Sequence, residues 1–122
     1  RFEGDTGPYV QYTNARAKSI LRKANTAVSV DELNLDDTAT WDIITTLNQF
    51  PTIVQRAWQQ REASIIAKYA LSLSRAFNKY YANSKILLPD DQLNARLALV
   101  KAVTIILSES LRLLGVKAPE EM

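Results

Sequence analysis

Apolar side chains recur along this chain at three- and four-residue intervals, the period of helices packed on one side, and no stretch makes a convincing strand. Pro8 follows the turn formers Gly4, Asp5, Thr6 and Gly7 and suits the first turn of a helix, where its missing N–H costs nothing. That helix is expected to run to about Ala24, with Val10, Ala17, Ile20, Leu21 and Ala24 toward a core. Residues 25–37 are polar and acidic with isolated Val28, Val30, Leu33 and Leu35, and read as a long connecting loop. A second helix is expected from the hydroxyl caps at Thr38 to Thr40 up to Pro51, with Trp41, Ile44, Leu47 and Phe50 at helical spacing. Pro51 then opens a short third helix carrying Ile53, Val54, Ala57 and Trp58. A long fourth helix covers about 62–82, with Ile66, Tyr69, Ala70, Leu73, Phe77 and Tyr80 on one stripe. After a turn around 83–90 holding Pro89, a last helix runs over about 91–114 and stops at Gly115, which suits a left-handed position after a helix.

Five helices without strands predict an all-α bundle, and 122 residues fit a single domain spanning 1–122. A net charge of +2 does not announce a nucleic-acid binder, so any affinity for phosphate depends on where the cations sit. The chain has neither cysteine nor histidine, which removes disulfides, thiolate nucleophiles, His-based triads and the common zinc sites. The apolar run from Leu97 to Leu107 is broken by Lys101 and falls short of the roughly 20 residues of a membrane span. It reads as a buried core helix, and no membrane association is expected. The first residue is Arg1 rather than methionine, and the opening segment reads as the middle of something. A processed chain or a fragment of a longer protein would both explain this, and we expect the fragment.

Cations do collect on two helices. At about 100° per residue, Arg61, Lys68, Arg75 and Lys79 fall within roughly 40° of one another, beside the apolar stripe of the fourth helix. Such a ridge can track a phosphate backbone, whereas the plainer reading is a solvated face. The first helix adds Arg16 with Lys23 and Lys18 with Arg22, two adjacent basic rows with no acidic residue between Asp5 and Asp31 to offset them. Tyr69 and Tyr80 lie on the apolar stripe and read as core, whereas Tyr81 falls outside it and is a candidate platform for base stacking. Trp41 and Trp58 are expected as core anchors, and Tyr9 and Tyr12 are placed to pack against a neighbouring domain. Removal of such a domain is expected to leave Phe2, Tyr9 and Val10 partly exposed. The carboxylates sit mostly in loops or at helix starts, so no active site is expected. On the residues alone, an RNA-binding module and a helical protein–protein docking module both remain open.

Four segments, in order, carry a resemblance. They are Gly7-Pro8-Tyr9-Val10-Gln11-Tyr12 with Ala15-Arg16, and Leu73-Ser74-Arg75-Ala76-Phe77-Asn78-Lys79-Tyr80-Tyr81 with Leu87-Leu88 downstream. Ala95-Arg96-Leu97-Ala98-Leu99-Val100 and the ending Leu114-Gly115 to Met122 complete the set. The chain resembles the C-terminal, DALR-type anticodon-binding domain of arginyl-tRNA synthetases, the helical bundle found in several class I synthetases. Asn14 stands where histidine or tyrosine is common in that family, and Glu121 where its ending usually has arginine. The resemblance implies a tRNA-Arg anticodon stem-loop binder and makes residues 1–7 the remnant of a junction with a catalytic domain. It implies a cytoplasmic, monomeric parent ligase whose catalytic domain uses ATP with Mg and arginine, while this piece holds no cofactor and is inactive alone. By resemblance and charge pattern, the candidate RNA-binding residues are Arg16, Lys68, Arg75, Asn78, Lys79, Tyr81 and Met122. Asn78 would meet a base edge, Tyr81 would stack, Arg75 would pair a phosphate, and Met122 would add an apolar contact and a carboxylate.

Overall fold

A computed structural model describes residues 6–24, 37–116 and 118–120. Five helices follow in order: α1 (Thr6–Ala24), α2 (Thr38–Asn48), α3 (Phe50–Gln60), α4 (Ala63–Asn83) and α5 (Leu93–Leu113). No strand occurs among the described residues, so the all-helical expectation holds. The loop expected at 25–37 lies outside the described residues except for Asp37.

Asp37 is the cap that starts α2. Its Oδ1 accepts from the Thr40 backbone N–H at 2.8 Å and its Oδ2 from the Thr40 hydroxyl at 2.8 Å. The expected hydroxyl cap is thus corrected to a carboxylate, which also complements the positive end of the helix. Pro51, near the start of α3, lacks the N–H that would continue α2, so the chain breaks at Gln49.

Two helices end in the same hydrogen-bond pattern with different residues. After α5, the Gly115 N–H donates to Arg112 O at 3.0 Å and the Val116 N–H to Leu111 O at 2.8 Å, with Gly115 at φ 74°. After α3, the Arg61 N–H donates to Trp58 O at 3.3 Å and the Glu62 N–H to Ala57 O at 3.0 Å, with Arg61 at φ 54°. Both are Schellman closures, which call for a left-handed residue. Gly115 adopts that conformation without strain, whereas the Cβ of Arg61 does not. Arg61→Gly is therefore expected to stabilise the fold by about 0.5–1 kcal/mol, read as a melting temperature raised by about 2–4 °C.

α4 is the central element and packs against the other four helices. Its six stripe residues Ile66, Tyr69, Ala70, Leu73, Phe77 and Tyr80 are all buried, against Val10, Ile43, Leu97, Val100, Val103, Leu107 and Leu111. Val10 is thus a core residue, as its helical spacing placed it, and is not left exposed by the absence of a neighbouring domain. Phe2 lies outside the described residues. Tyr69 keeps its hydroxyl satisfied by donating to Thr46 O at 2.7 Å. Burial pushes the phenols of Tyr69 and Tyr80 up to about 12.

Both tryptophans depart from the core expectation: Trp41 is 55% exposed and Trp58 83%. α2 buries Thr40 and Ile43, and α3 buries only Ala57, which turns each indole outward. On an 11-residue helix the apolar pattern allows more than one facing, and contact with α4 selected the other one.

Arg96 ties the α4–α5 turn to α5. Its Nε donates to Ile86 O at 2.9 Å, and its Nη2 donates to Leu88 O at 2.6 Å and to Asp90 Oδ1 at 2.8 Å. Arg96 holds the Asp90 carboxyl below the usual carboxylate value. No helix among the described residues is long and apolar enough to cross a membrane.

Candidate nucleic-acid interface

Tyr9, Tyr12, Thr13 and Arg16 stand at i, i+3, i+4 and i+7 on α1 and therefore share one face. Asn78 and Tyr81, three apart on α4, face them. The Arg16 guanidinium lies between two rings, its Cζ 4.9 Å from the Tyr12 centroid and 4.4 Å from the Tyr81 centroid. Its edge is also held: one terminal nitrogen donates to Asn78 Oδ1 at 2.8 Å and the other to the Tyr12 hydroxyl at 3.0 Å. Asn78 Nδ2 donates to the Tyr9 hydroxyl at 2.9 Å and to Thr13 Oγ1 at 2.9 Å. Thr13 Oγ1 in turn donates to Tyr9 O at 2.8 Å.

The stack is supported from the core yet open to solvent. The Phe77 ring, fully buried, lies 6.4 Å from that of Tyr81. Tyr12 and Tyr81 remain 46% and 42% exposed, so each ring offers surface to a ligand. A cleft of about 400 Å³ opens here, lined by Tyr12, Arg16, Ser19, Arg22, Lys23, Tyr81 and Glu120. A cation between aromatic faces is attracted by their negative π-clouds, and an aromatic ring with an open side can take a base on it.

The two basic regions have different fates. Lys68, Arg75 and Lys79 are exposed along one side of α4, as the spacing suggested, but Arg61 closes α3 and does not extend that ridge. On α1, Lys18 and Arg22 reach Glu120, with Lys18 Nζ 3.4 Å from Oε1 and an Arg22 terminal nitrogen 3.2 Å from Oε2. Lys18 Nζ also donates to Ala118 O at 3.3 Å, and Arg22 to Glu120 O at 3.2 Å. The second basic row is therefore offset by an acid about 100 positions away, contrary to the expectation of an unopposed row. Its structural role is to tether residues 118–120 beside the tyrosine–arginine stack. Met122 lies outside the described residues.

Of the candidate residues, Arg16, Asn78 and Tyr81 come together, while Lys68, Arg75 and Lys79 lie on an exposed side of α4. Sequence reasoning missed Tyr12, Tyr9 and Thr13 as parts of the cluster. The signal was local, since Tyr12 and Arg16 are four apart on one helix face. No group of three or more metal-ligating side chains occurs among the described residues.

An all-helical bundle with a cation–aromatic cluster and a separate exposed basic ridge has the make-up of a nucleic-acid-binding module. A family model described as "DALR anticodon binding domain" matches residues 10–122, and the chain belongs to that family. It is 82% identical over its whole length to an arginine–tRNA ligase of Leuconostoc mesenteroides subsp. mesenteroides and 64% identical to one of Pediococcus pentosaceus. It spans 22% of the length of each of these relatives. Among solved structures, Thermus thermophilus arginyl-tRNA synthetase superposes with a TM-score of 0.87 at 37% identity, over 100% of this chain and 22% of that one. A putative arginyl-tRNA synthetase from Campylobacter jejuni shares the fold at TM-score 0.88 and 20% identity, over 97% of this chain and 27% of that one.

Proposed function

We propose that this chain binds the anticodon stem-loop of tRNA-Arg as the C-terminal part of an arginine–tRNA ligase. The observation that carries the reading is the Arg16 guanidinium held between Tyr12 and Tyr81 at an open cleft. Here a phosphate meets a fixed cation, and a base meets an aromatic ring. Lys68, Arg75 and Lys79 present a second exposed positive surface on α4 for backbone phosphates. The remaining length of the ligase, represented by the part of the relatives that this chain does not cover, supplies the catalytic domain, with ATP, Mg and arginine. Cytoplasmic residence and a monomeric parent go with this reading, and the present chain alone attaches no amino acid.

The test is a titration with arginine tRNA transcripts, one unaltered and one with the middle anticodon base changed, at two salt concentrations. Binding to the unaltered RNA is expected to fall with salt, with a log–log slope of about −2 to −3 for three or four phosphate contacts. Weaker binding of the altered RNA is also expected. Equal, salt-insensitive behaviour of both would defeat the reading.

A further inference from the structure

We propose that Asn78 is a positioning residue that locks the Arg16 guanidinium between Tyr12 and Tyr81 and that reads no base itself. The inference rests on the RNA-binding reading above. A carboxamide has two N–H donors and one carbonyl acceptor, and reading a base edge through an asparagine uses a donor and the acceptor together. Both Asn78 donors are already committed within the fold, to the Tyr9 hydroxyl and to Thr13 Oγ1 at 2.9 Å each. Thr13 Oγ1 spends its own proton on Tyr9 O, so toward Asn78 it is an acceptor only. This fixes which way the amide points. Turned over, its NH₂ group would face the guanidinium, donor against donor, and its oxygen would meet Thr13 Oγ1, whose proton is committed, with only the Tyr9 hydroxyl left to donate to it.

The carbonyl oxygen therefore faces Arg16, 2.8 Å from one terminal nitrogen, while the Tyr12 hydroxyl takes the other. Close to both rings and held by these two bonds, the guanidinium is fixed in one orientation before any ligand arrives. Each terminal nitrogen still has a second N–H for a phosphate oxygen. A side chain fixed in advance loses less freedom on binding, so the interhelical bond from Asn78 raises affinity without touching RNA. The bond joins residues 62 positions apart, which makes the stack a joint product of α1 and α4.

The test is a double-mutant cycle on this chain. It uses an anticodon stem-loop of arginine tRNA and the same RNA with its middle anticodon base changed. Asn78→Ala and Arg16→Ala are each expected to weaken both RNAs by about tenfold. The double variant should bind no more weakly than Arg16→Ala, and the ratio between the two RNAs should survive Asn78→Ala. Additive losses, or a ratio that collapses in Asn78→Ala alone, would overturn the proposal and make Asn78 a base reader. Should Asn78→Ala fail to fold, Asn78→Asp keeps an acceptor for Arg16 but removes both donors and adds a negative charge, which repels the phosphates of either RNA alike. An equal loss on both RNAs is then expected, and a changed ratio overturns the proposal. Wild-type chain that binds neither RNA at low salt defeats the RNA reading itself, and this inference with it.

Discussion

Phe77→Ala is expected to lower stability by about 3–5 kcal/mol, the range for emptying an aromatic site in a packed core. Phe77 has no exposed surface and lies on the buried stripe of α4, the helix that meets all the others. Its ring is 6.4 Å from Tyr80 on the core side and 6.4 Å from Tyr81 on the cleft side. A domain of ordinary stability has about 5–15 kcal/mol to lose, so this single change brings the chain close to unfolding near body temperature. Chemical denaturation followed by helical circular dichroism gives the value. Phe77→Leu, which keeps most of the volume, should lose much less. Equal, small losses for both would mean that the bundle collapses around the gap. Because the same ring supports Tyr81, the alanine variant should also lose RNA affinity at temperatures where it remains folded.

The second large effect falls on Tyr81. Tyr81→Ala is expected to weaken anticodon stem-loop binding by about 5- to 150-fold, corresponding to roughly 1–3 kcal/mol for one stacked base. It also removes one of the two rings against which Arg16 lies, the other being Tyr12. Tyr81→Phe keeps the ring and should stay close to wild type. The slope of affinity against salt should barely change in either variant, since neither removes a cation. Fold stability should move little, because Tyr81 is 42% exposed. A Tyr81→Ala chain that binds as tightly as the parent at every salt concentration would remove stacking from the proposed mechanism.

Legibility differed sharply between helices. On α4, six apolar positions over 21 residues allow only one facing, and all six are buried. On α3, 11 residues and one buried alanine leave the facing to the neighbours, and Trp58 went outward. Gly115 could be placed because the left-handed conformation favours glycine, whereas nothing in an arginine signals that Arg61 closes α3 in the same conformation. Asp37 looked like one more acid in a polar stretch until Thr40 came within reach of it. The site was legible in halves. Tyr12 and Arg16 sit four apart, and Tyr81 stood outside the stripe, but their meeting depends on how α1 crosses α4. Likewise, no local pattern links Lys18 and Arg22 to Glu120, because charge pairing at such separations follows the completed fold.

The pairing of α1 with α5 also sets an order of events during synthesis. Asn14, with no exposed surface, donates to Ser108 at 3.0 Å across 94 positions, and Lys18 reaches Ala118 across 100. A ribosome adding about 5–20 residues per second makes α1 wait on the order of 5–20 s for that partner. Through that interval Val10, Ala17 and Ile20, all buried in the finished bundle, lack the last helix that covers them. A message truncated within residues 93–113 is therefore expected to yield a nascent chain in which the surfaces of α1 and α4 that α5 covers stay open to chaperones or to aggregation.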